Sequence, residues 1–169
     1  MFADNIDNFN YNNIIISDPI KNSMIDQSLF YKFLYSNEFV TFNGIFLYFQ
    51  LENIVINKEK IIFISNNVND IVLNKIINIE NLLLNHIKNN KKKNFKLKEL
   101  INNNNIKFSK SEITNYQDFY DFENLNNVNN LNNVNNKHDF ILKLSGLWET
   151  NESIGITFKI IKINKYLNF

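Results

Sequence analysis

Lysines set among aromatic side chains are the feature of this sequence whose chemistry is easiest to interpret. Nucleic-acid bases stack on aromatic rings, while ammonium groups neutralise the phosphates between those bases. The aromatic candidates for such contacts are Tyr31, Tyr35, Phe46, Tyr48 and Trp148, and the cationic candidates are Lys32, Lys143, Lys159 and Lys162. Phe30, Phe158 and the run 91–93 are further candidates. The pattern predicts a site for single-stranded nucleic acid, either DNA or RNA.

Sequence patterns for catalysis or metal binding are missing. The chain has no cysteine, which excludes thiolate metal sites and a cysteine nucleophile, and its three glycines form no phosphate-binding motif. His86 and His138 are far apart in the sequence, and each is interpreted as a surface residue. Asp118, Asp121 and Glu123 lie in a segment that is not expected to be rigid, whereas acid–base catalysis needs groups held in place. We therefore predict a non-enzymatic protein without a metal ion or cofactor.

Length and composition favour a single globular domain. A chain of 169 residues with 44% hydrophobic residues can bury a sizeable core. The net charge is only +1, so any basic surface must be local. The absence of cysteine favours an intracellular protein. No apolar run approaches the length of a membrane span, and the N-terminus lacks the pattern of a secretory signal. We therefore expect a soluble, intracellular protein that does not associate with membranes.

The stretch 140–163 predicts a β-hairpin. Two runs rich in Ile, Leu, Phe and Thr flank a polar segment at 149–153 that is only long enough for a turn. Because alternate side chains of a strand share a face, one face of the second strand is predicted to build core: Ile154, Ile156, Phe158 and Ile160. Lys143 and Lys159 are then expected to point together to the other, solvent side. Trp148 is assigned to neither face.

Other β segments are predicted along the chain. Short strands are expected at 14–16, 29–36 and 106–108, and a hairpin is expected at 54–64. The apolar spacing across 24–35 also fits a helix, but a strand at 29–36 is favoured. The dipeptide Asn43-Gly44 indicates either a hairpin turn or a strand interrupted by a glycine bulge. Together these segments indicate a fold dominated by β-structure.

One long helix is predicted at about 70–88, where apolar residues recur at three- and four-residue spacing. Asn69 or Asp70 is expected to cap its N-terminus, and a shorter helix is expected near 97–101. The predicted fold class is mainly β with one or two helices. Its expected architecture is an antiparallel barrel or a strongly curved sheet.

Two segments are expected to lie outside the packed domain. The Asn- and Asp-rich residues 1–13 are interpreted as a flexible N-terminal arm, followed by one β-rich domain at 14–169. Residues 124–135 repeat the six-residue unit Asn-Leu-Asn-Asn-Val-Asn, and we interpret 124–137 as a low-complexity loop.

Short motifs in the chain resemble a known family. They are Leu-Tyr-Ser at 34–36, Phe-Asn-Gly-Ile at 42–45, Leu-Ser-Gly-Leu-Trp-Glu-Thr at 144–150 and Ile-Gly-Ile-Thr-Phe-Lys at 154–159. They are similar to segments of single-stranded-DNA-binding proteins of large nucleocytoplasmic DNA viruses. The resemblance implies an OB-like barrel that coats single strands, with little sequence preference, during viral DNA replication, recombination and repair. It also implies a location at replication sites in the host cytoplasm, and a binding surface near 39–64.

A second hypothesis is a protein–protein interaction module or a virion-associated structural protein. The acidic aromatic segment 116–123 or exposed apolar edges would then bind the partner. A homo-oligomer is compatible with either hypothesis.

Overall fold

The computed structural model describes residues 3–36, 39–63, 66–87, 90–110 and 137–163. Within these ranges the chain is mainly β, with a curved mixed sheet, a smaller sheet and two α-helices, so the predicted fold class is confirmed. The strands are β1 (Asp4–Asn5), β2 (Ile14–Ile16), β3 (Ile20–Lys21), β4 (Leu29–Ser36), β5 (Thr41–Asn43), β6 (Ile45–Glu52), β7 (Ile54–Asn57), β8 (Lys60–Phe63), β9 (Lys92–Asn94), β10 (Ile106–Lys107), β11 (Ser109–Lys110), β12 (Lys137–Glu149) and β13 (Ser153–Ile163). The helices are α1 (Asn67–His86) and α2 (Lys96–Asn102).

The main sheet is built around the antiparallel hairpin of β12 and β13. Asp139 pairs with Ile163 at the open end, and Glu149 pairs with Ile154 next to the turn. The predicted hairpin is therefore confirmed. One feature was not predicted: the register shifts between Leu144 and Gly146, so that β12 contains a bulge at this point. A bulge bends its strand and locally increases the twist.

The other edge of β12 is shared by two strands. The first part of β12 pairs with β6 and its last four residues pair with β4, both antiparallel. Three short strands pair in parallel, β1 with β6 and both β9 and β11 with β13. The sheet is therefore mixed, where an antiparallel one was expected. It is curved, and no closed barrel is detected in the described ranges.

Gly44 forms the corner at which the chain passes from β5 to β6. β5 pairs with β4, whereas β6 pairs with β12, so the two strands on either side of Gly44 have different partners. Gly44 has φ of +110°, a conformation that strongly favours glycine, and its N–H donates to the carbonyl of Phe33 at 2.8 Å. The dipeptide Asn43-Gly44 is therefore not a hairpin turn. Of the two alternatives, the structure favours a β segment interrupted by glycine.

The three-stranded sheet contains the predicted hairpin near 54–64. β7 and β8 pair antiparallel around the two residues Lys58 and Glu59, and β10 pairs with the other edge of β8. The Asn104 side chain joins this sheet, since it accepts from the N–H of Phe63 and donates to its carbonyl, both at 3.0 Å. Ile54, Ile61 and Ile106 turn one side of the sheet toward the core.

The core lies between one side of the main sheet and α1. We call this side the inner face; it is defined by Phe33, Leu47, Phe140, Leu142 and Ile160. The buried stripe of α1 packs in the same cluster through Leu73, Ile76, Ile79, Leu83 and Leu84. This is the stripe that three- and four-residue spacing predicts, because such positions share one side of a helix.

The start of α1 differs from the prediction. The helix begins at Asn67, and the side chain of Asn66 caps it by accepting from the N–H of Asn69 at 2.7 Å. Asn69, which was expected as a cap, has another role. Its fully buried side chain donates to the Glu52 carbonyl at 2.8 Å and accepts from the Glu52 N–H at 2.9 Å. These two bonds attach the helix to the end of β6.

A buried carboxylate joins α1 to α2. Glu80 is 1% exposed and accepts from the backbone N–H of Leu97 at 2.8 Å and of Lys98 at 2.9 Å. These donors are free at the start of a helix because they have no partner within it. Burial raises the pKa of the Glu80 carboxyl, and this effect outweighs the backbone hydrogen bonds, which act in the opposite direction.

Residues 4–13 are packed, although a flexible arm was expected at 1–13. Asp4–Asn5 pair with β6, and Ile6 is buried at 5% exposure. The ring of Phe9 stacks on Tyr35 with centroids 6.2 Å apart, and Asp7 pairs with Lys75 of α1. Sequence composition missed this because one buried isoleucine and one stacked phenylalanine are enough to hold so short a segment.

Two predicted segments lie outside the described residues. They are the acidic aromatic segment 116–123 and the repeat 124–135. Of the predicted low-complexity loop 124–137, only Lys137 falls within a described range. Neither helix in the described part of the chain is long and apolar enough to cross a membrane.

Candidate nucleic-acid interface

The side of the main sheet opposite the inner face carries most of the predicted site. We call it the outer face and define it by the residues that the strand register places there: Phe30, Lys32, Phe46, Tyr48, Lys143, Trp148 and Lys159. Six of these are among the nine residues predicted from the sequence as contacts. They come from four strands, β4, β6, β12 and β13, so that only the folded sheet brings them together.

Lys143 and Lys159 are direct cross-strand partners at the centre of the outer face. This confirms the expectation that they share the non-core side. Like charges placed directly opposite each other destabilise a sheet, by roughly 0.2–1 kcal/mol. Among the described residues neither lysine forms an ion pair with a carboxylate. The pair therefore concentrates positive charge at a small energetic cost to the fold.

Phe46 lies next to this pair, as the partner of Lys143 on the other edge of β12. The Lys143 ammonium is 5.3 Å from the centroid of the Phe46 ring, within range of a cation–π interaction. Such a contact holds the ammonium over the sheet and leaves its remaining donors for another ligand. Both side chains are partly exposed.

Trp148 and Phe30 form an aromatic pair at the turn end of the outer face, where they are cross-strand partners. The indole lies against Gly155, because a Cβ there would come within 2.5–2.9 Å of three indole atoms. The Phe30 ring covers Gly146 in the same way, at 2.7 Å from a Cβ built there. Two glycines thus let two aromatic rings lie down on the sheet. Both rings keep part of their surface in solvent.

Lys32 extends the positive charge toward this aromatic pair. It is exposed, and the register places it beside Gly146, one row of the sheet from Trp148 and Phe30. No described carboxylate pairs with it. Three lysines and two flat aromatic rings therefore occupy adjoining rows of one exposed surface.

Tyr48 stands at the far end of the outer face and differs from the other candidates. Its hydroxyl donates to the Asp139 carboxylate at 2.5 Å, and the Gln50 amide donates to the same oxygen at 2.7 Å. Asp139 is buried, and so is Ile141, the cross-strand partner of Tyr48. This network is not predictable from the sequence, because its three polar residues lie on two strands far apart in the chain.

Three predicted contact residues lie away from the outer face. Tyr31 and Tyr35 point to the core side of β4; Tyr35 is only 5% exposed, and its hydroxyl accepts from the N–H of Asn10 at 3.1 Å. The Tyr31 hydroxyl donates to the Glu149 carboxylate, and this bond is the main cause that raises the pKa of Tyr31 to about 12. Lys162 is paired with Phe140 and shares its side of the sheet. We leave these three residues out of the interface.

The remaining candidates from the sequence also lie elsewhere. Phe158 packs against the core, and Lys91 forms an ion pair with Glu149 at 2.8 Å. His86 is exposed, as expected. His138 is partly buried, and burial followed by the nearby charge of Lys162 lowers its pKa. In the described ranges no three His, Asp or Glu side chains come together as metal ligands would.

Comparisons with known proteins gave no relative. No family model matches the chain, and no curated protein or solved structure matches it significantly. The resemblance to viral single-stranded-DNA-binding proteins therefore stays a prediction. The function must be inferred from the outer face itself.

Proposed function

We propose that this protein binds single-stranded nucleic acid on the outer face, with little preference for base sequence. Lys32, Lys143 and Lys159 would neutralise phosphates, and the rings of Trp148 and Phe30 would stack on bases. Stacking accepts every base because each has a π-face, which is why such binding tolerates sequence changes. No step of catalysis is required of any of these residues.

The main observation behind the proposal is that Lys143 and Lys159 face each other beside aromatic rings. Neither lysine forms an ion pair with a described carboxylate. An ordinary solvated sheet face gains stability from opposite charges across strands and loses it from like charges. Here two lysines are directly opposed, a third lies nearby, and no described carboxylate compensates any of them. A polyanion would relieve this repulsion on binding.

The setting that we propose is intracellular DNA metabolism. The motif resemblance suggests viral DNA replication, recombination or repair, at replication sites in the host cytoplasm. Assembly of several copies along one strand is part of the proposal, since a protein that coats single strands acts through many neighbouring molecules.

Binding of a labelled oligo-dT, followed by fluorescence anisotropy across a salt series, tests the proposal. Each phosphate neutralised on a single strand contributes about −0.7 to the slope of log affinity against log salt, so three lysines predict a slope of about −2. A slope near this value supports the outer face as the site. Absence of binding at micromolar protein and low salt would refute the proposal.

A protein–protein interaction module is the second candidate, and one observation favours it. Met24 and Phe39 are 89% and 88% exposed, so they offer apolar surface that a protein partner could bury. Under this candidate, oligonucleotides would not bind, and substitution of Met24 and Phe39 by serine would instead abolish capture of a partner. The outer-face lysines would then be dispensable.

A further inference from the structure

We infer that the outer face holds a short segment of a single strand with stacked bases, about four nucleotides long, with one end base stacked on the Trp148 indole. This inference rests on the proposed function and adds the length, the path and the end point of the bound strand. It concerns one copy of the protein and not the whole length of nucleic acid that several copies would cover.

The length follows from the distance between the aromatic pair and the central lysines. Gly155, which lies beneath Trp148, and Lys159 are four positions apart on β13. Strands rise about 3.3 Å per residue, so the two rows are about 13 Å apart. That distance spans about four nucleotides at the 3.4 Å spacing of a stacked strand.

The path of the bound nucleic acid follows from the positions of the three lysines. Lys32 on β4 lies beside Gly146, and Lys143 and Lys159 face each other in a later row, beyond the bulge. Lys32 and Lys159 thus lie on the strands that flank the line from Trp148 along β12, and Lys143 lies on β12 itself. A nucleic-acid strand on this line would place its phosphates first near Lys32 and then near Lys143 and Lys159.

Both ends of the path are closed by the structure. Beyond the lysine pair, the outer face continues with buried Ile141 and with Asp139, whose carboxylate would repel a phosphate. Beyond Trp148, β12 ends at Glu149 and the chain turns. The favourable surface is therefore limited to the rows between Trp148 and the lysine pair.

A duplex does not fit this description. Its bases are held in pairs, so a single base can reach the flat ring of Trp148 only if a pair is broken, at a cost of a few kcal/mol. The inference therefore specifies an unpaired strand as the ligand.

A length series of oligo-dT, from two to twelve nucleotides, tests the inference. Trp148 is the only tryptophan, so quenching of its fluorescence reports a base at this position alone. We expect affinity to rise steeply up to about four nucleotides and then only by the number of available registers, by about tenfold or less at twelve nucleotides. Quenching should reach its full extent at the same length.

The Trp148→Leu variant sharpens the test. Followed by anisotropy of labelled oligonucleotides, this variant should lose affinity while its length dependence levels off about one nucleotide earlier. Circular dichroism must show the same secondary structure as the unaltered protein. A replacement of Val55, an exposed residue on β7 of the smaller sheet, by alanine is the control and should leave the series unchanged.

The possible results of these experiments would overturn different parts of the inference. Affinity that keeps rising steeply beyond six nucleotides would overturn the short path but keep the proposed function. Binding without quenching would overturn the assignment of Trp148. Equal affinity for a blunt duplex would overturn the single strand as ligand, and no binding at any length would overturn the proposed function itself.

Discussion

At the scale of single residues, the outer face exchanges stability for positive charge. Lys143 and Lys159 face each other directly, and the described part of the chain supplies no carboxylate to either. A sheet optimised only for stability would place opposite charges at such positions. A substitution that reverses one of these two charges should therefore stabilise the fold and weaken the binding of nucleic acid.

The substitution Lys159→Glu tests this opposition. It replaces a like-charge pair by an opposite-charge pair, so the free energy of unfolding should rise by about 0.5 kcal/mol or remain unchanged. Binding of oligo-dT should weaken, and the salt slope should become less steep by about 0.7 to 1.4, because a phosphate contact of Lys159 is lost and the new glutamate pairs with Lys143. Urea unfolding and anisotropy measure the two quantities.

Lys162→Glu is the matched control, because it makes the same charge change three positions along β13 on the other side of the sheet. Net charge changes equally in both variants, so any difference between them reports position. Equal loss of binding in the two variants would mean that only overall charge matters. A large loss of stability in Lys159→Glu would mean that this lysine has a structural role.

At the scale of elements, buried polar side chains fix the helices to the sheets. Asn69 attaches α1 to β6, and Glu80 attaches α1 to α2 through the free N–H groups of the shorter helix. Each satisfies backbone groups that would otherwise be buried without partners, at a cost of about 1–3 kcal/mol each. Glu80 does so as a carboxylate in a buried place, which makes its contribution depend on pH.

The free energy of unfolding should therefore fall as pH rises through the mildly acidic range above 4.5, the ordinary pKa of this carboxyl. Burial raises the pKa of Glu80 in the folded state. The folded protein thus retains this proton more readily than the unfolded chain. The resulting stabilisation is complete below the ordinary pKa and is lost as pH rises through the raised one, at no more than about 1.4 kcal/mol per pH unit.

Urea unfolding of Glu80→Gln across this pH range measures the effect. The variant cannot lose a proton at this position, so the difference in stability from the unaltered protein should vary with pH. Glu99→Gln, on the exposed side of α2, is the control and should give a curve parallel to that of the unaltered protein. Parallel curves for Glu80→Gln as well would contradict the proposed role of burial.

At the scale of the whole molecule, the N-terminal segment belongs to the domain and the net charge says little about the ligand. Asp4 and Asn5 pair with β6 and Asp7 pairs with Lys75 of α1, so that the segment joins the edge of the sheet to the helix. The net charge of +1 gives no strong field around the protein, yet the outer face gathers three lysines in one place. Local arrangement, and not composition, defines this surface.

Ile6→Ala tests whether the N-terminal segment is a structural part of the domain. Ile6 is 5% exposed, and truncation of a buried isoleucine typically costs about 2–5 kcal/mol. The same substitution at Ile15, which is 50% exposed, should cost much less and is the control. Urea unfolding measures the free energy of unfolding. Equally small losses at both positions would mean that residues 1–13 are a flexible arm after all.

The sequence alone determined the local elements. Alternation at 154–160, helical spacing within 72–87 and the turns near 58 and 151 each predicted structure that was found, because these patterns depend on neighbours a few residues apart. The shared side of Lys143 and Lys159 also followed from alternation. Local pattern failed for Tyr35, whose burial depends on Phe9 and Asn10 from a distant segment.

Only the tertiary structure decided which side of the sheet Trp148 occupies. Counting in twos from Leu144 would place Trp148 on the inner face, but the bulge between Leu144 and Gly146 adds one residue and moves it to the outer face. The bulge lies where β12 changes its partner from β6 to β4, and the carbonyl of Tyr31 leaves no room for a Cβ at Gly146. The sequence thus specified a hairpin with a tryptophan and two lysines. The bulge placed the tryptophan on the same surface as the two lysines, because register is set by strand partners that sequence alone does not identify.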